Sequence, residues 1–524
     1  MQTRKTVGAA FPPLLRAGAI DRRMLILLAI SAMVTLVWGL TRPLTYTTDS
    51  TTYVELAQYL LGQREPHPIV FIRPPGYPLL LILTGVIAFH SFVGLLLAQA
   101  LTAVAIPLIA YKTVAHYSRS AAFAAGLLIT LSLMPQIYSR AVMTEQPFIF
   151  GFVLLAYLVV RYSIERSTKL FWSITITTIG LAFLRPSANL FGYIIVAATL
   201  LLEPRQWRRA LSGVLIIFAV TGAWASFAAG EADPHLGGNL VSRFFSGAQS
   251  FAGEQLFYDA YVVGEFTPPP GILERRLTFA ASNGPASARL LQTLMTFAEL
   301  YPQFWKTHPL AHPGDDAASF VDRLRTRPSQ MAFGFMWSAT DTMLGPAESA
   351  RLFRDAAVES FRVRPTVLLG LLDNFVSVLF GPVAAYSSGV RVVMIPTLDA
   401  VTFHDPGLGA LGDSVRPYLA LPKLASWWER DPTSYFYGFG YTLLKPALTV
   451  TVIMTLLFMA AGPMRWPALV LTATILCHHA ITAVFAEPYA RYVDQVLPAT
   501  VVLAAMGVVA ASRGLRQGGG SQGP

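Results

Sequence analysis

Long apolar runs separated by short basic links dominate the chain. The first covers Met24 to Leu40 and follows a basic segment holding Arg4, Lys5, Arg16, Arg22 and Arg23. Further runs fall at about 91–111, 121–138, 147–160, 170–186, 188–202, 211–229, 436–461, 466–486 and 492–511. An α-helix needs about 20 mostly apolar residues to cross the hydrocarbon of a bilayer. The pattern therefore predicts an all-α polytopic membrane protein of about ten transmembrane helices. The first run resembles a signal sequence, but Val37-Trp38-Gly39-Leu40-Thr41-Arg42 offers no small-x-small cleavage site. It reads as a retained span with a cytoplasmic N-terminus.

Two runs resist this reading. Residues 74–89 (PPGYPLLLILTGVIAF) start with prolines and are barely long enough to cross. If they crossed, the basic links Lys112–Arg119, Arg161–Lys169 and Arg205–Arg209 would all face outward, against the tendency of Lys and Arg to stay cytoplasmic. A re-entrant or interfacial helix restores all three links to the cytoplasm. The same logic applies to 366–384, where Asp373 and Asn374 interrupt the run. Laying that helix along the outer face puts Arg465, Arg513 and Arg516 inside. Both termini are then cytoplasmic.

The expected organisation is an N-terminal transmembrane module (1–230) with a first outer loop (41–90), and an outer-face, periplasmic region of amphipathic helices (231–435). A C-terminal transmembrane module (436–512) and a disordered Gly-rich tail (513–524) complete it. Within the outer region, Ala350–Phe361 places apolar residues at helical spacing.

Composition narrows the function classes. Of 524 residues, 54% are hydrophobic and 13% are Asp, Glu, Lys or Arg, against roughly 25% charged in ordinary soluble domains. Mean hydropathy is +0.51. A soluble enzyme, a disordered chain and a fibrous protein are excluded. The net charge of +10 sits mostly in the links, so membrane orientation explains it better than nucleic acid. The one cysteine, Cys477, lies inside an apolar run, so neither an intrachain disulfide nor a CxxC pair can form.

The polar residues at the outer ends of the spans carry the candidate chemistry. The first outer loop opens with Thr45-Tyr46-Thr47-Thr48-Asp49-Ser50-Thr51-Thr52-Tyr53, ahead of a helical stretch Val54–Leu61. Asp49 reads either as a helix cap or as a carboxylate poised at headgroup level. Glu65, His67 and Arg73-Pro74-Pro75-Gly76-Tyr77-Pro78 follow. The next outer link is Ser139-Arg140-Ala141-Val142-Met143-Thr144-Glu145-Gln146-Pro147. Thr144 or Glu145 can simply start the next helix; an arginine and a glutamate this close to lipid are otherwise costly unless they face a water-filled cavity. Phe183-Leu184-Arg185-Pro186-Ser187 and Glu487-Pro488-Tyr489-Ala490-Arg491-Tyr492-Val493-Asp494 are the remaining outer links. Arg73, Arg140, Arg185 and Arg491 thus sit on the side where arginine is disfavoured. They read as anchors or partners of Glu145, Glu487 and Asp494, or as cations converging on an anion, for which a guanidinium fork suits phosphate. His478-His479, inside a span, reads as satisfied within the bundle as readily as ligand-binding. No HExxH, Walker loop, GxSxG or dinucleotide fingerprint is present.

In their order along the chain, these motifs resemble the C-type polytopic membrane glycosyltransferases that use polyprenyl-phosphate sugar donors, a group that includes protein O-mannosyltransferases and lipid A aminoarabinose transferases. The resemblance rests on TYTTDSTTY, RPPGYP, SRAVMTEQP, FLRPS and EPYARYVDQVLP, and covers the first 200 residues and about the last 40. It implies transfer of a single sugar from the lipid phosphate to a glycolipid, polysaccharide or protein acceptor on the outer face of the inner membrane, with inversion. By this resemblance Asp49 is the base, and Glu145 a second catalytic carboxylate that orients acceptor or sugar, or fixes an arginine. Arg491 and Arg185 bind the donor phosphate, with Arg73, Arg140 and Tyr492 behind them, and Tyr53, Glu65 and His67 line the substrate. No metal ligand is assigned and no cofactor is certain. A divalent cation stays open because some relatives use one, although the first loop lacks an Asp-x-Asp pair and the second acid is Glu where many relatives have Asp. The alternatives are a lipid-linked sugar flippase, a polysaccharide ligase or polymerase and a non-catalytic membrane subunit.

Overall fold

The computed structural model describes residues 21–41, 44, 48–63, 65, 70–71, 73–185, 187–232, 256–258, 261, 279–327, 330–366, 449, 452, 464–485 and 494–518. Helices account for nearly all of them and no strand occurs among them. Four helices are long and apolar enough to cross a membrane, and shorter apolar helices accompany them. The protein is an all-α membrane protein.

In chain order α1 is Arg22–Thr41, α2 Thr48–Leu60, α3 Gly76–Leu83, α4 Val86–Phe89 and α5 Val93–Ala115. These are followed by α6 Arg119–Leu131, α7 Met134–Tyr138, α8 Glu145–Glu165, α9 Thr168–Leu184, α10 Ala188–Leu202 and α11 Trp207–Ala232. At the C-terminal end lie α17 Arg465–Phe485 and α18 Leu497–Gly518, numbered after the five helices of the intervening region given below. Helix α8 is the central member, packed against α5, α9, α17 and α18. Its Phe148, Phe152, Val153, Ala156 and Val159 are all buried, as a helix that is apolar all round must be to escape water. Thus α17 and α18 close the bundle against the N-terminal module.

The two ends of the bundle differ in charge. At one end, Arg23 donates to Ser120 (2.9 Å), Arg513 to the Tyr117 carbonyl (2.8 Å), and Tyr111 to Asp21, which also faces Arg119 at 3.7 Å. Its hydrogen bond from Tyr111 holds the Asp21 carboxyl below its ordinary pKa, with Arg119 and Arg23 acting in the same direction. Nearby, Arg209 pairs with Glu203 (2.5 Å) and donates to Tyr162 (2.8 Å) and Thr168 (3.1 Å). The Trp466 indole donates to the Ala198 carbonyl at 2.9 Å. All the basic links of the described chain therefore share one face. At a rise of 1.5 Å per residue, α11 carries the chain about 36 Å from Trp207 to Glu231, and there Glu231 accepts from Tyr59 of α2 at 3.0 Å. Helix α2 thus belongs to the opposite face.

The stretch 74–89 does not cross. It is broken into α3 and α4 at Gly85, which sits at φ 75; eight helical residues rise only about 12 Å. The stretch 121–138 also departs from a single span. Helix α6 ends at Leu131, Leu133 takes a left-handed φ of 57, and α7 restarts in a new direction. Such a break is tolerated at membrane depth where the freed backbone groups are bonded by protein; here Ser132 and Leu133 N–H groups return to the Leu128 and Thr130 carbonyls. Save Thr366, Thr449 and Val452, the expected runs 366–384 and 436–461 lie outside the described residues.

Between the membrane segments, α12 Pro285–Leu300, α13 Pro302–Lys306, α14 Ala317–Thr326, α15 Gln330–Leu344 and α16 Pro346–Val363 share a separate core. Phe257, Phe279, Trp305, Phe320, Met336 and Phe353 are buried in it. Glu359 caps α12, accepting from the N–H groups of Ala286 (2.9 Å) and Ser287 (2.8 Å).

Candidate active site

Both candidate acids sit in the first turn of a helix, where unpaired N–H groups and the helix dipole favour a negative charge. Asp49 is the second residue of α2 and Glu145 the first of α8. Each carboxylate takes an arginine. Arg73 donates through Nη2 to Asp49 at 2.5 Å and through Nε to Thr52 Oγ1 at 3.0 Å. Arg185, in extended backbone just past the end of α9, donates through Nη2 to Glu145 at 2.7 Å. The second pair is the more secluded: the Glu145 side chain is 2% exposed and that of Arg185 17%, against about a quarter for both Asp49 and Arg73.

Both pairs lie within the electrostatic reach of one buried phenol. Arg73 lies over the Tyr53 ring at 5.3 Å. Burial pushes the Tyr53 hydroxyl above its ordinary pKa, while Arg73 and Arg185 pull it down and Asp49 and Glu145 push it up. All four charged groups thus act on a single buried side chain. What brings them together is the glycine of RPPGYP. A Cβ built on Gly76 would fall 2.6 Å from the Phe183 carbonyl oxygen, so the start of α3 lies directly on the end of α9. Tyr77 then packs edge-on to Tyr53 at 5.1 Å, and Leu184 joins the same apolar cluster.

The Ser139–Thr144 link is stitched to this site through its backbone. Ser50 donates to the Val142 carbonyl at 2.8 Å. Gln99, buried in α5, donates to the carbonyls of Ser139 (3.2 Å) and Ala141 (3.0 Å) and accepts from the Tyr77 hydroxyl at 3.4 Å. Arg140 lies in this link, and burial lowers its pKa to about 10. The partner of Glu145 is nonetheless Arg185, forty residues away, and not its near neighbour Arg140. Below the pair, the Phe148 ring takes the Arg185 guanidinium on one side (5.7 Å) and the His478 ring on another (5.8 Å), so the His478-His479 dipeptide packs under the site. Glu145 Oε2 is buried with no hydrogen-bond donor among the described residues.

Of the sequence-predicted residues, Asp49, Glu145, Arg73, Arg185 and Tyr53 are brought together, with Arg140 in the adjoining link. Glu65 is exposed and carries no contact to this group. His67, Arg491 and Tyr492 lie outside the described residues. Gln99 and Ser50 were not singled out as site residues; a glutamine within an apolar run is the signal that would have found the first. Among the described residues no three His, Cys, Asp or Glu side chains cluster to hold a metal ion. Asp49 and Glu145 each face a guanidinium.

No family model matches the chain, and no curated protein does. Among solved structures, the archaeal oligosaccharyltransferase AglB from Archaeoglobus fulgidus, in complex with an inhibitory peptide and a dolichol-phosphate, aligns over 96% of this chain and 52% of its own. The identity is 13% and the TM-score 0.34. The chain spans about half the length of that protein. A likeness at this level assigns no activity, so the functional reading rests on the site itself.

Proposed function

We propose that the protein is an integral membrane glycosyltransferase that moves one sugar from a polyprenyl-phosphate donor to a hydroxyl or amine of a glycolipid, polysaccharide or protein acceptor. The reaction takes place at the bundle face opposite the basic links, which the positive-inside tendency makes the periplasmic face of the inner membrane. The observation that carries this reading is the pair of arginine–carboxylate bridges held at one end of the bundle, where Gly76 at the start of α3 meets Phe183 at the end of α9.

In this reading Asp49 accepts the proton of the acceptor as its oxygen or nitrogen attacks the anomeric carbon. The bond from that carbon to the phosphate oxygen breaks, and its electron pair leaves with the phosphate. A phosphate monoester has a second pKa near 6, so the leaving group scarcely needs protonation. That distinguishes the reaction from glycoside hydrolysis, which needs an acid as well as a base or nucleophile. Charge grows on the phosphate in the transition state, so a cation fixed beforehand favours that state over bound substrate. Arg185 suits this role because Glu145 anchors one end of its five-donor fork. Arg73 fixes the Asp49 carboxylate. Attack from the side opposite the phosphate inverts the anomeric centre. The unmatched Glu145 oxygen supports a hydrogen bond from a sugar or acceptor hydroxyl.

The test is Asp49→Asn. The protein should remain folded in the membrane while transfer from a lipid-phosphate sugar falls by about 10²–10⁴-fold, the usual contribution of a general base. Near-normal transfer in that variant removes Asp49 from the mechanism. Movement of labelled lipid across vesicles by the native protein, with no covalent product, would make it a transporter.

A further inference from the structure

At the basic face, one corner of the bundle holds four cations that no acid among the described residues answers. It is formed by the α8–α9 link and the start of α11, which the Arg209–Thr168 hydrogen bond holds side by side. Two acids lie there, and both are used: Glu165 by Arg161 at 2.5 Å and Glu203 by Arg209 at 2.5 Å. Arg166, Lys169, Arg205 and Arg208 are exposed, with no ion pair among the described residues. Arg166 ends α8 with a left-handed φ of 48, which folds the link back so that Lys169 opens α9 beside it.

The surface next to these cations is apolar. Trp207 is 53% exposed, with the Arg208 guanidinium 5.5 Å from its ring. Leu211, Leu215 and Phe218 are exposed at 46%, 54% and 43%. At spacings of four, four and three residues, these side chains form one stripe along α11. A tryptophan at the head of such a stripe marks the level of the lipid headgroups.

We propose that this corner binds the headgroup of an anionic phospholipid, with an acyl chain along the Trp207–Phe218 stripe. A free phosphate uses only the cations; the continuous stripe argues for a lipid. On the positive-inside reading the corner faces the cytoplasmic leaflet, where anionic lipids attract juxtamembrane basic groups at about five-fold in affinity per Lys or Arg. The proposal does not depend on the glycosyl-transfer reading, since the two sites lie at opposite ends of α8 and α11.

The experiment is native mass spectrometry of the full chain in detergent, titrated with phosphatidylglycerol or phosphatidylcholine. The native protein should retain phosphatidylglycerol at concentrations at least ten-fold lower than phosphatidylcholine. Changing Arg166, Lys169, Arg205 and Arg208 together to alanine should abolish that preference. Changing Arg22, Arg23 and Arg119, cations of the same face on the α1–α6 side of the bundle, should leave it intact. Trp207→Ala, which keeps every charge, should weaken phosphatidylglycerol retention by several-fold and tests the stripe should the fourfold variant not fold. Equal retention of the two lipids by the native protein, an equal loss in the control variant, or full displacement by millimolar inorganic phosphate would each overturn the proposal.

Discussion

Gly76 and Phe183 meet backbone to backbone, the glycine Cα facing the carbonyl at the end of α9 with no room for a methyl group. This contact sets the spacing between Arg73, three residues before the glycine, and Arg185, two residues after the phenylalanine. Gly76→Ala should therefore leave the protein in the membrane but shift α3 off α9. A misplacement of about 1 Å in a reacting constellation costs on the order of 10²-fold in rate. Transfer assays beside an expression control would check this; unchanged turnover would show that the two arginines need not be held together.

The Arg73 fork serves two acceptors at once, Asp49 through Nη2 and Thr52 through Nε. A lysine is a point charge and cannot span both. Arg73→Lys should lower kcat more than ten-fold while the KM for the lipid donor changes little, because the proposed base loses its orientation and the proposed phosphate cation stays. A rise in donor KM alone would instead assign Arg73 to the phosphate.

Removing one partner of a buried ion pair typically costs about 3–5 kcal/mol, because the other charge is stranded. Glu145→Gln should cost stability in this range and abolish transfer; the double change with Arg185→Gln should recover stability but not activity. Glu203→Gln, which disrupts the Arg209–Tyr162–Glu203 cluster at the other end of the bundle, should cost stability alone. Thermal unfolding in detergent alongside transfer assays separates these outcomes.

Asp341 of α15 offers a pH test away from the membrane segments. Burial pushes its carboxyl up to about 6, against the opposing pull of a hydrogen bond with Ser349. The folded state thus holds its proton more tightly than the unfolded chain. Stability is full where both states are protonated and falls as pH rises through the interval between the ordinary carboxylate value and about 6, since the unfolded chain ionises first. Asp341→Asn should be the more stable protein at about pH 7 and lose that advantage at about pH 4. Melting followed by tryptophan fluorescence at both conditions checks the sign.

Hydropathy and the charge of the links were enough to predict an all-α membrane protein with a non-crossing 74–89, because lipid imposes a length rule and the links an orientation rule. The break at Leu133 was not legible. Its signal is one left-handed residue inside a run whose composition is uniformly apolar, and Pro135 allows a new helix start as readily as a kink. At the site, sequence drew attention to Asp49, Arg73, Glu145 and Arg185 one by one. It could not pair them, since the partners stand 24 and 40 residues apart and meet only where α2 packs beside α3 and α8 beside α9. It placed Arg140 nearest Glu145 because proximity along the chain was the only distance available.

Helix α8 holds Glu145 at its first residue and the Arg161–Glu165 pair at its last turn, a separation of about 30 Å at helical rise, which matches the hydrocarbon depth of an average bilayer. As a stiff rod, it ties the level of the site to the level of the basic face. Lipids with longer or shorter tails must then be met by tilting or by a deformed membrane, so the thickness of the host bilayer becomes a physical control on how deeply the ion pairs sit.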